Sequence, residues 1–194
     1  NLGASLELNE RVITPEIFSK WDYCYVEGYL IANKPAFTKT ISVAKECGCK
    51  VILDLASFNV VEDNCEFLNE LLPQIDIIFA NEEEAKALTQ KTAEESLHYI
   101  AENVDIAVVK IGKKGSLIKR GEEVVQIGCN KIDVVDTTGA GDMYAAGFLY
   151  GLIKGYDLER CGTIGNHLAE SIIQVVGAKM DEDRWNEFKN LAQI

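Results

Sequence analysis

Four short apolar runs in the first 111 residues constrain the fold more than any other feature of the chain. They are rich in β-branched residues and lie at Tyr23–Val26, Val51–Leu55, Ile75–Phe79 and Ile106–Ile111. Strands covered on both faces are apolar almost throughout, whereas strands with one solvent face alternate. A segment of helical period, Pro35–Cys47, separates the first two runs and ends at Gly48. This alternation predicts an α/β fold, with βαβ units around a mainly parallel sheet.

The pattern changes after the fourth run. Two further short segments, Ser116–Lys119 and Val124–Ile127, flank Arg120 and Gly121, a short turn that predicts an antiparallel hairpin at the sheet edge. The opening Asn1–Arg11 has no clear period and is assigned no element. The other predicted helical segments are Asp63–Leu72, Ala140–Ile153, Leu158–Val176 with Gly177 as its cap, and a final amphipathic turn carrying Trp185, Phe188 and Leu191.

The charge balance excludes several kinds of partner. The chain has 19 Lys and Arg residues against 31 Asp and Glu residues, which leaves a formal net charge of −12. Because such a surface repels nucleic-acid backbones and anionic membranes, we expect neither as a partner. Any anionic ligand must therefore be held locally. No apolar stretch approaches the length of a membrane span, and the composition is typical of a folded, cytoplasmic domain.

The six cysteines show no C-x-x-C spacing, and several lie in apolar runs where a reduced thiol packs as a small hydrophobe. We therefore expect free thiols in an intracellular protein. The alternative is a zinc or redox site, which needs clustered ligands. Only Cys47 and Cys49 lie close together in the sequence.

The glycine-rich turn from Asp136 to Asp142 is the strongest indication of a catalytic site in the sequence. It reads Asp-Thr-Thr-Gly-Ala-Gly-Asp and opens a predicted helix. The unpaired N–H groups of a helix start, with the positive end of the helix dipole, form a site for a phosphate or a developing anion. A carboxylate at Asp142, in the first turn, would project toward that anion, which suggests transfer of a phosphoryl group to a hydroxyl. An ordinary glycine turn with an acidic cap is the alternative.

Two commoner phosphate-binding motifs do not account for this chain. A Walker loop ending at Gly112 would need a glycine at Ala107. A dinucleotide fingerprint starting at Gly139 would need Gly or Ala at Tyr144. Neither motif is present.

The Asp136–Asp142 segment resembles the second signature of the ribokinase-like sugar and nucleoside kinases, also called the PfkB carbohydrate kinase family. Three other segments resemble the same family in the same order. They are Asn81–Glu84 after a strand, Lys110–Gly115 before a hairpin, and the late helix with Ala169 followed by Gly177 and Ala178. The resemblance runs from about Tyr23 to the end. It implies a three-layer αβα ribokinase-like fold with a mainly parallel central sheet and an antiparallel edge hairpin.

The same resemblance implies an ATP-dependent kinase and assigns residues to its chemistry. Asp142 would be the general base, and the amides of Gly139, Ala140 and Gly141 would stabilise the transferring phosphoryl group. The residues implied to bind the nucleotide are Lys110, Gly112, Gly115, Thr138 and Asn166.

Metal ions are implied at two places. Asn81 and Glu84 would organise Mg²⁺ near the triphosphate. The alternative for this pair is an Asn helix cap with acids in the first turn, and both readings can hold at once. Asp136 and the carbonyl of Thr138 resemble part of a monovalent-cation site, for which K⁺ is the expected ion.

Members of the family are longer than this chain, and the unmatched part is the amino-terminal one, which carries the sugar-binding motif and the lid. We therefore expect residues 1–194 to form a single catalytic domain, the carboxyl-terminal part of a longer kinase. Its expected substrate is a sugar or a nucleoside, whose primary hydroxyl would accept the γ-phosphoryl group of ATP. A bare sheet edge would allow a second copy to bind, as in a homodimer. The alternative function is a nucleotide-binding module without turnover, either regulatory or a truncated inactive kinase.

Overall fold

The structure, a computed structural model, describes residues 7–192. Within this range the β-strands are β1 Tyr23–Glu27, β2 Lys50–Asp54, β3 Ile77–Asn81, β4 Ile106–Lys110, β5 Ser116–Arg120 and β6 Glu123–Ile127. The α-helices are α1 Pro15–Phe18, α2 Lys34–Glu46, α3 Phe58–Asp63, α4 Cys65–Leu71, α5 Glu82–Thr89, α6 Ala93–Ala101, α7 Ala140–Ile153, α8 Leu158–Ile172 and α9 Glu182–Ala192.

The strands form one sheet in the order β1-β2-β3-β4-β5-β6. Strands β1 and β2 pair in parallel with Val26 opposite Leu53, and β2 and β3 pair in parallel with Ile52 opposite Ile77. Strands β4, β5 and β6 are joined by short turns and form antiparallel hairpins. The three-layer α/β fold with a mostly parallel sheet and an antiparallel edge confirms the predicted fold class.

The chain divides into two compact units. Of the described residues, the first unit holds those up to Val109 together with Lys119–Glu123, and the second holds Lys110–Ile118 together with those from Val124 onward. Each unit contains its own buried apolar residues. In the first, the largest fully buried side chains include Phe37 of α2 and Phe79 of β3.

Asp76, directly before β3 in the first unit, is a buried carboxylate that holds neighbouring segments together. Its oxygens accept hydrogen bonds from Lys45 Nζ at 2.8 Å, Lys50 Nζ at 3.0 Å and the Val51 N–H at 2.7 Å. Burial raises the pKa of Asp76, but the hydrogen bonds from Lys45, Val51 and Lys50 together outweigh burial and lower that pKa below its ordinary value. Asp76 is therefore ionised and paired.

In the second unit, α7 and α8 approach closely because glycines face each other. A Cβ on Gly147 would lie 2.8 Å from the Ile164 carbonyl oxygen and 2.9 Å from Gly165 Cα. A Cβ on Gly165 would lie 2.9 Å from the Tyr144 carbonyl oxygen. All three atoms belong to helix backbones, which cannot move aside as a side chain can. Only glycine fits at both positions.

The other faces of α8 complete the core of the second unit. Gly162 lies against β5 and β6, where a Cβ would come 2.5 Å from Ile118 Cδ1 and 2.6 Å from Ile127 Cγ1. A buried apolar cluster then joins α8 to α9. Its members are Ile164, Leu168, Ile172, Met180 and Phe188. Helix α7 is thereby packed on a helix that is itself held on two sides.

The predicted end of α8 was wrong, because the helix ends at Ile172 and Gly177 is not its cap. The carbonyl of Ile173 instead accepts hydrogen bonds from the N–H groups of Val135 at 2.8 Å and Asp136 at 3.2 Å. Gly177, with φ of 77°, lies further along the loop. A long-range backbone contact thus ends the helix before the local glycine signal.

Three smaller differences concern turns. The predicted helix Asp63–Leu72 is divided between α3 and α4, because Asn64 leaves helical geometry with φ of −129° and ψ of 21°. The hairpin turn lies at Gly121 and Glu122, since the preceding Arg120 still belongs to β5. The final turn is the helix α9, while the side chain predicted at Leu191 lies outside the described residues.

All six cysteines lie within residues 7–192, and none of them forms a disulfide bond. Among residues 7–192 there is no group of three or more His, Cys, Asp and Glu side chains that could hold a metal ion. In the same part of the chain, no helix combines the length and the apolar character needed to cross a membrane.

We expect Gly147→Ala to destabilise the second unit by about 1–2 kcal/mol. Overpacking costs about 1–3 kcal/mol, and the better helix propensity of alanine offsets at most about 1 kcal/mol. Urea unfolding monitored by circular dichroism measures the change. The control is Gly128→Ala, because no atom lies within 4 Å of a Cβ there, and it should change stability by less than about 0.5 kcal/mol. Equal stability of the two variants would contradict the close helix contact.

We also expect Asp76 to make the first unit acid-sensitive. Because its pKa is lowered, its stabilisation is fully present above the ordinary value of 3.8 and is lost as the pH falls through the lower folded-state value. Asp76→Asn should be less stable than the native chain at about pH 7 and should lose less stability between about pH 4 and pH 2. Urea midpoints across this range measure both effects. Asp105→Asn is the control, since it removes an exposed carboxylate that also binds Lys50, at 2.7 Å.

Candidate active site

The amino terminus of α7 is built on a glycine that no other residue could replace without strain. Gly139 is the N-cap and has φ of 80°, in the left-handed region. A Cβ there would also lie 2.9 Å from the Cβ of Ala178. Glycine therefore lets the loop turn into the helix while the segment around Ala178 packs directly behind it.

The first turn of α7 exposes backbone donors, as the sequence predicts. Within residues 7–192, no protein acceptor is found for the amides of Gly139, Gly141 and Asp142. The amide of Ala140 donates to the Thr137 carbonyl at 3.2 Å, which makes it the least available of the three donors predicted from the sequence. Three N–H groups at the positive end of a 14-residue helix remain to receive an anion.

Lys110, the last residue of β4, brings a positive charge to this turn. A Cβ on Gly141 would lie 3.1 Å from Lys110 Nζ. The ammonium group therefore lies against the backbone of the first turn, where a side chain on Gly141 would displace it. This arrangement creates a local positive potential in a chain with a net charge of −12.

Asp142 lies in the first turn of α7 with its side chain exposed. In the part of the chain that the structure describes, its carboxylate forms no hydrogen bond or ion pair. It therefore differs from Asp136, whose oxygens are all engaged. An exposed carboxylate beside amide donors and an ammonium group has the geometry of a base next to an anion site.

Asp136 shapes the loop that leads into α7. One of its oxygens accepts hydrogen bonds from the Thr138 N–H at 2.9 Å and the Thr138 hydroxyl at 2.7 Å. The other oxygen accepts from the Gly177 N–H at 2.9 Å. The hydrogen bonds from Gly177 and then Thr138 hold the pKa of the Asp136 carboxyl below its ordinary value. This contact accounts for Asp136 by itself, and the K⁺ site stays a prediction.

The loop between β4 and β5 is also closed by a glycine. Gly115 has φ of 96°, and a Cβ there would lie 1.7 Å from the Ile127 carbonyl oxygen. Its carbonyl accepts a hydrogen bond from the Ile111 N–H at 2.7 Å, while its N–H donates to Gly112 at 2.9 Å. The predicted nucleotide-binding residues Gly112 and Gly115 thus form one tight turn next to Lys110.

Asn166 and Glu170 of α8 hold the segment that follows β6. The Asn166 side chain is 5% exposed and donates to the Gly128 carbonyl at 2.9 Å. The Glu170 carboxylate accepts from the Asn130 N–H at 2.7 Å and from its side-chain amide at 2.9 Å. The predicted role of Asn166 in adenine binding stays a prediction, because the structure gives this side chain a protein partner.

Asn81 and Glu84 belong to the first unit and form a capping box at the start of α5. The Asn81 side chain accepts from the Glu84 N–H at 2.9 Å, and the Glu84 carboxylate accepts from the Asn81 N–H at 2.8 Å and its Nδ2 at 2.7 Å. The helix-cap alternative is therefore confirmed. The oxygen donors suit Mg²⁺, and each carboxylate oxygen keeps a further lone pair, so a magnesium role through water is compatible with this geometry.

The structure therefore brings most of the predicted residues together in the second unit. It gathers Lys110, Gly112, Gly115, Asp136, Thr138, Gly139, Ala140, Gly141, Asp142 and Asn166. Sequence reasoning missed Glu170 as the partner of Asn130, and it missed the buried pair of Ser116 and Tyr144, whose hydroxyls lie 2.7 Å apart. No local pattern marks these residues, because their partners are distant in sequence.

Comparisons with known proteins all lead to one family. Residues 2–184 match the description "pfkB family carbohydrate kinase". The nucleoside kinase of Methanocaldococcus jannaschii is 35% identical over 139 residues, which cover 69% of this chain and 46% of that protein. The chain spans about half the length of the curated relatives it matches.

Several solved structures are similar over nearly the whole chain, two of them at more than 30% identity. A probable sugar kinase from Rhizobium etli CFN 42 has a TM-score of 0.89 at 32% identity, covering 97% of this chain and 59% of that one. The adenosine kinase from Sinorhizobium meliloti has a TM-score of 0.88 at 31% identity, covering 96% of this chain and 59% of that one.

We expect Asp136→Ala to release the loop before α7. The amides of Thr138 and Gly177 lose their acceptor, so their hydrogen exchange should accelerate by about tenfold, the factor that corresponds to one lost hydrogen bond. Exchange measured by NMR on the folded protein tests this. The control is Asp133→Ala, which removes an exposed carboxylate from the same loop. Unchanged exchange at both amides would mean that Asp136 does not hold the loop.

Proposed function

The chain belongs to the pfkB family of carbohydrate kinases, and on this premise we propose that it carries the phosphoryl-transfer site of an ATP-dependent kinase. The γ-phosphoryl group of ATP would pass to a primary hydroxyl of a sugar or a nucleoside. The observation that carries the proposal is the exposed Asp142 carboxylate in the same helix turn as the amides of Gly139 and Gly141, with the ammonium of Lys110 against Gly141.

These groups suit the charge changes of phosphoryl transfer. Asp142 would accept the proton of the acceptor hydroxyl while the hydroxyl oxygen forms a bond to the γ-phosphorus. The bond from that phosphorus to the β,γ-bridging oxygen breaks, and ADP leaves with the electron pair. The amides of α7 and Lys110 would stabilise negative charge on the phosphoryl oxygens, and such preorganised donors contribute about 10²–10³ in rate.

The first unit supports a magnesium role. Asn81 and Glu84 would hold Mg²⁺ through its water ligands, because the hydrogen bonds of the capping box fix the positions of their side-chain oxygens. The ion would neutralise charge on the ATP triphosphate. The buried Glu84, 3% exposed, would keep its orientation because both of its carboxylate oxygens accept hydrogen bonds from Asn81.

The names of the similar proteins are the evidence for the kind of molecule that accepts the phosphoryl group. The nucleoside kinase of Methanocaldococcus jannaschii and the adenosine kinase of Sinorhizobium meliloti favour a nucleoside, and the probable sugar kinase of Rhizobium etli favours a sugar. A second candidate function is a nucleotide-binding module without turnover. The amide donors of α7 and the ammonium of Lys110 would bind a nucleotide phosphate in this case as well.

We expect Asp142→Asn to lower acceptor-dependent ADP formation by about 10²–10⁴, the range for loss of a general base. The assay uses Mg-ATP with a panel of adenosine, other nucleosides, ribose and fructose. Affinity for Mg-ATP, measured by calorimetry, should change by less than about threefold, since Asp142 acts on the acceptor hydroxyl.

Asp133→Asn is the matched control, because it removes another exposed carboxylate of the same unit without touching the anion site. Full activity of Asp142→Asn would overturn its assignment as the base. Binding of Mg-ATP by the native chain without turnover on any acceptor would favour the nucleotide-binding module.

A further inference from the structure

A buried hydrogen bond connects α7 to β5 in the second unit. Tyr144 of α7 and Ser116 of β5 are 3% and 0% exposed, and the Tyr144 hydroxyl donates to Ser116 Oγ at 2.7 Å. Burial raises the pKa of Tyr144, so its hydroxyl stays protonated and remains a donor. A hydrogen bond between two buried hydroxyls is costly to break, because neither group can turn to water instead.

Each partner is joined through the backbone to a different part of the site. Ser116 directly follows Gly115, which closes the turn after Lys110. Tyr144 lies two residues after Asp142 on α7. Residues two positions apart point to roughly opposite faces of an α-helix, which agrees with a buried Tyr144 and an exposed Asp142.

The Tyr144 ring is held in place on two further sides. A Cβ on Gly165 of α8 would lie 3.2 Å from Tyr144 Cε2 and 3.3 Å from its Cδ2. The ring of Phe148 stacks with it at a centroid distance of 6.3 Å and an angle of 20°. The ring therefore has little freedom to move, and the position of its hydroxyl is tied to the rotation of α7 about its axis.

We propose that Tyr144 and Ser116 are a positioning pair for phosphoryl transfer. Their hydrogen bond fixes the rotation of α7 relative to β5, and so holds the Gly141 amide and the Asp142 carboxylate in register with Lys110. This inference rests on the proposed function, because positioning of these groups affects a rate only if the site transfers a phosphoryl group. Loss of the bond lets α7 rotate, and a misplacement of about 1 Å at a reacting group can cost about 10²-fold in rate.

The test is a double-mutant cycle of Tyr144→Phe, Ser116→Ala and both together. Each single variant removes this hydrogen bond while one of the two hydroxyls stays buried, so both should be less stable than the native chain. The double variant removes both hydroxyls and should recover most of that stability. If the pair is a positioning device, the double variant still loses about ten- to hundredfold in kcat, while KM for ATP changes by less than about threefold.

Tyr150→Phe is the matched control, because it removes the hydroxyl of another tyrosine of α7 that stacks with Lys154 rather than reaching β5. Its kcat should equal that of the native chain. Recovery of native kcat in the double variant along with its stability would overturn the proposal, because the bond would then serve stability alone.

Hydrogen exchange separates failure of this proposal from failure of the proposed function. If the native chain shows no turnover on any acceptor, the kinase proposal fails. Hydrogen exchange then tests by itself whether the Tyr144–Ser116 hydrogen bond holds α7 in place. We expect peptides covering residues 110–116 and 136–144 to exchange at least about threefold faster in the double variant, while residues 158–172 exchange as in the native chain. Unchanged exchange in the first two peptides would overturn the positioning role.

Discussion

The backbone contact between α7 and α8 is the constraint on which the candidate active site depends. At Gly147 a Cβ would lie 2.8 Å from a carbonyl oxygen of α8, and at Gly165 one would lie 2.9 Å from a carbonyl oxygen of α7. Because both sides of the contact are backbone, the position of α7 cannot be adjusted by a change of side-chain rotamer. The distance of α7 from α8 is therefore set by this packing, and the amino terminus of α7, with its donors and Asp142, is held at that distance.

An anion site in an acidic chain is possible because its forces act at short range. The field of a helix terminus falls off within its first turn, so a net charge of −12 spread over the surface does not cancel it. Lys110 adds a positive charge at the same turn. The carboxylate of Asp136 is turned away from an anion role, since its two oxygens accept hydrogen bonds from three donors of Thr138 and Gly177.

Much of the fold could be predicted because its signals are local. Gly48, with φ of 84°, follows α2 as its pattern indicates, and the apolar run at Val51–Leu55 contains most of β2. The end of α8 could not be predicted in this way. Local preference favours a longer helix, but the Ile173 carbonyl receives two backbone N–H groups from the loop before α7. A distant contact that satisfies backbone groups outweighs a weak local preference.

The sequence by itself determined which groups the candidate site contains. The glycine turn and Asp142 are adjacent in the chain, so their spacing places donors and carboxylate at one helix start whatever surrounds them. Only the tertiary structure decided what holds these groups in place. Tyr144 meets Ser116 across 28 positions, Asn166 meets Gly128 across 38, and Gly177 meets Asp136 across 41. Such pairs form because packing of α7, α8 and the strands buries polar groups, which then need hydrogen-bond partners. The periodicity of the sequence does not indicate which residues will pair.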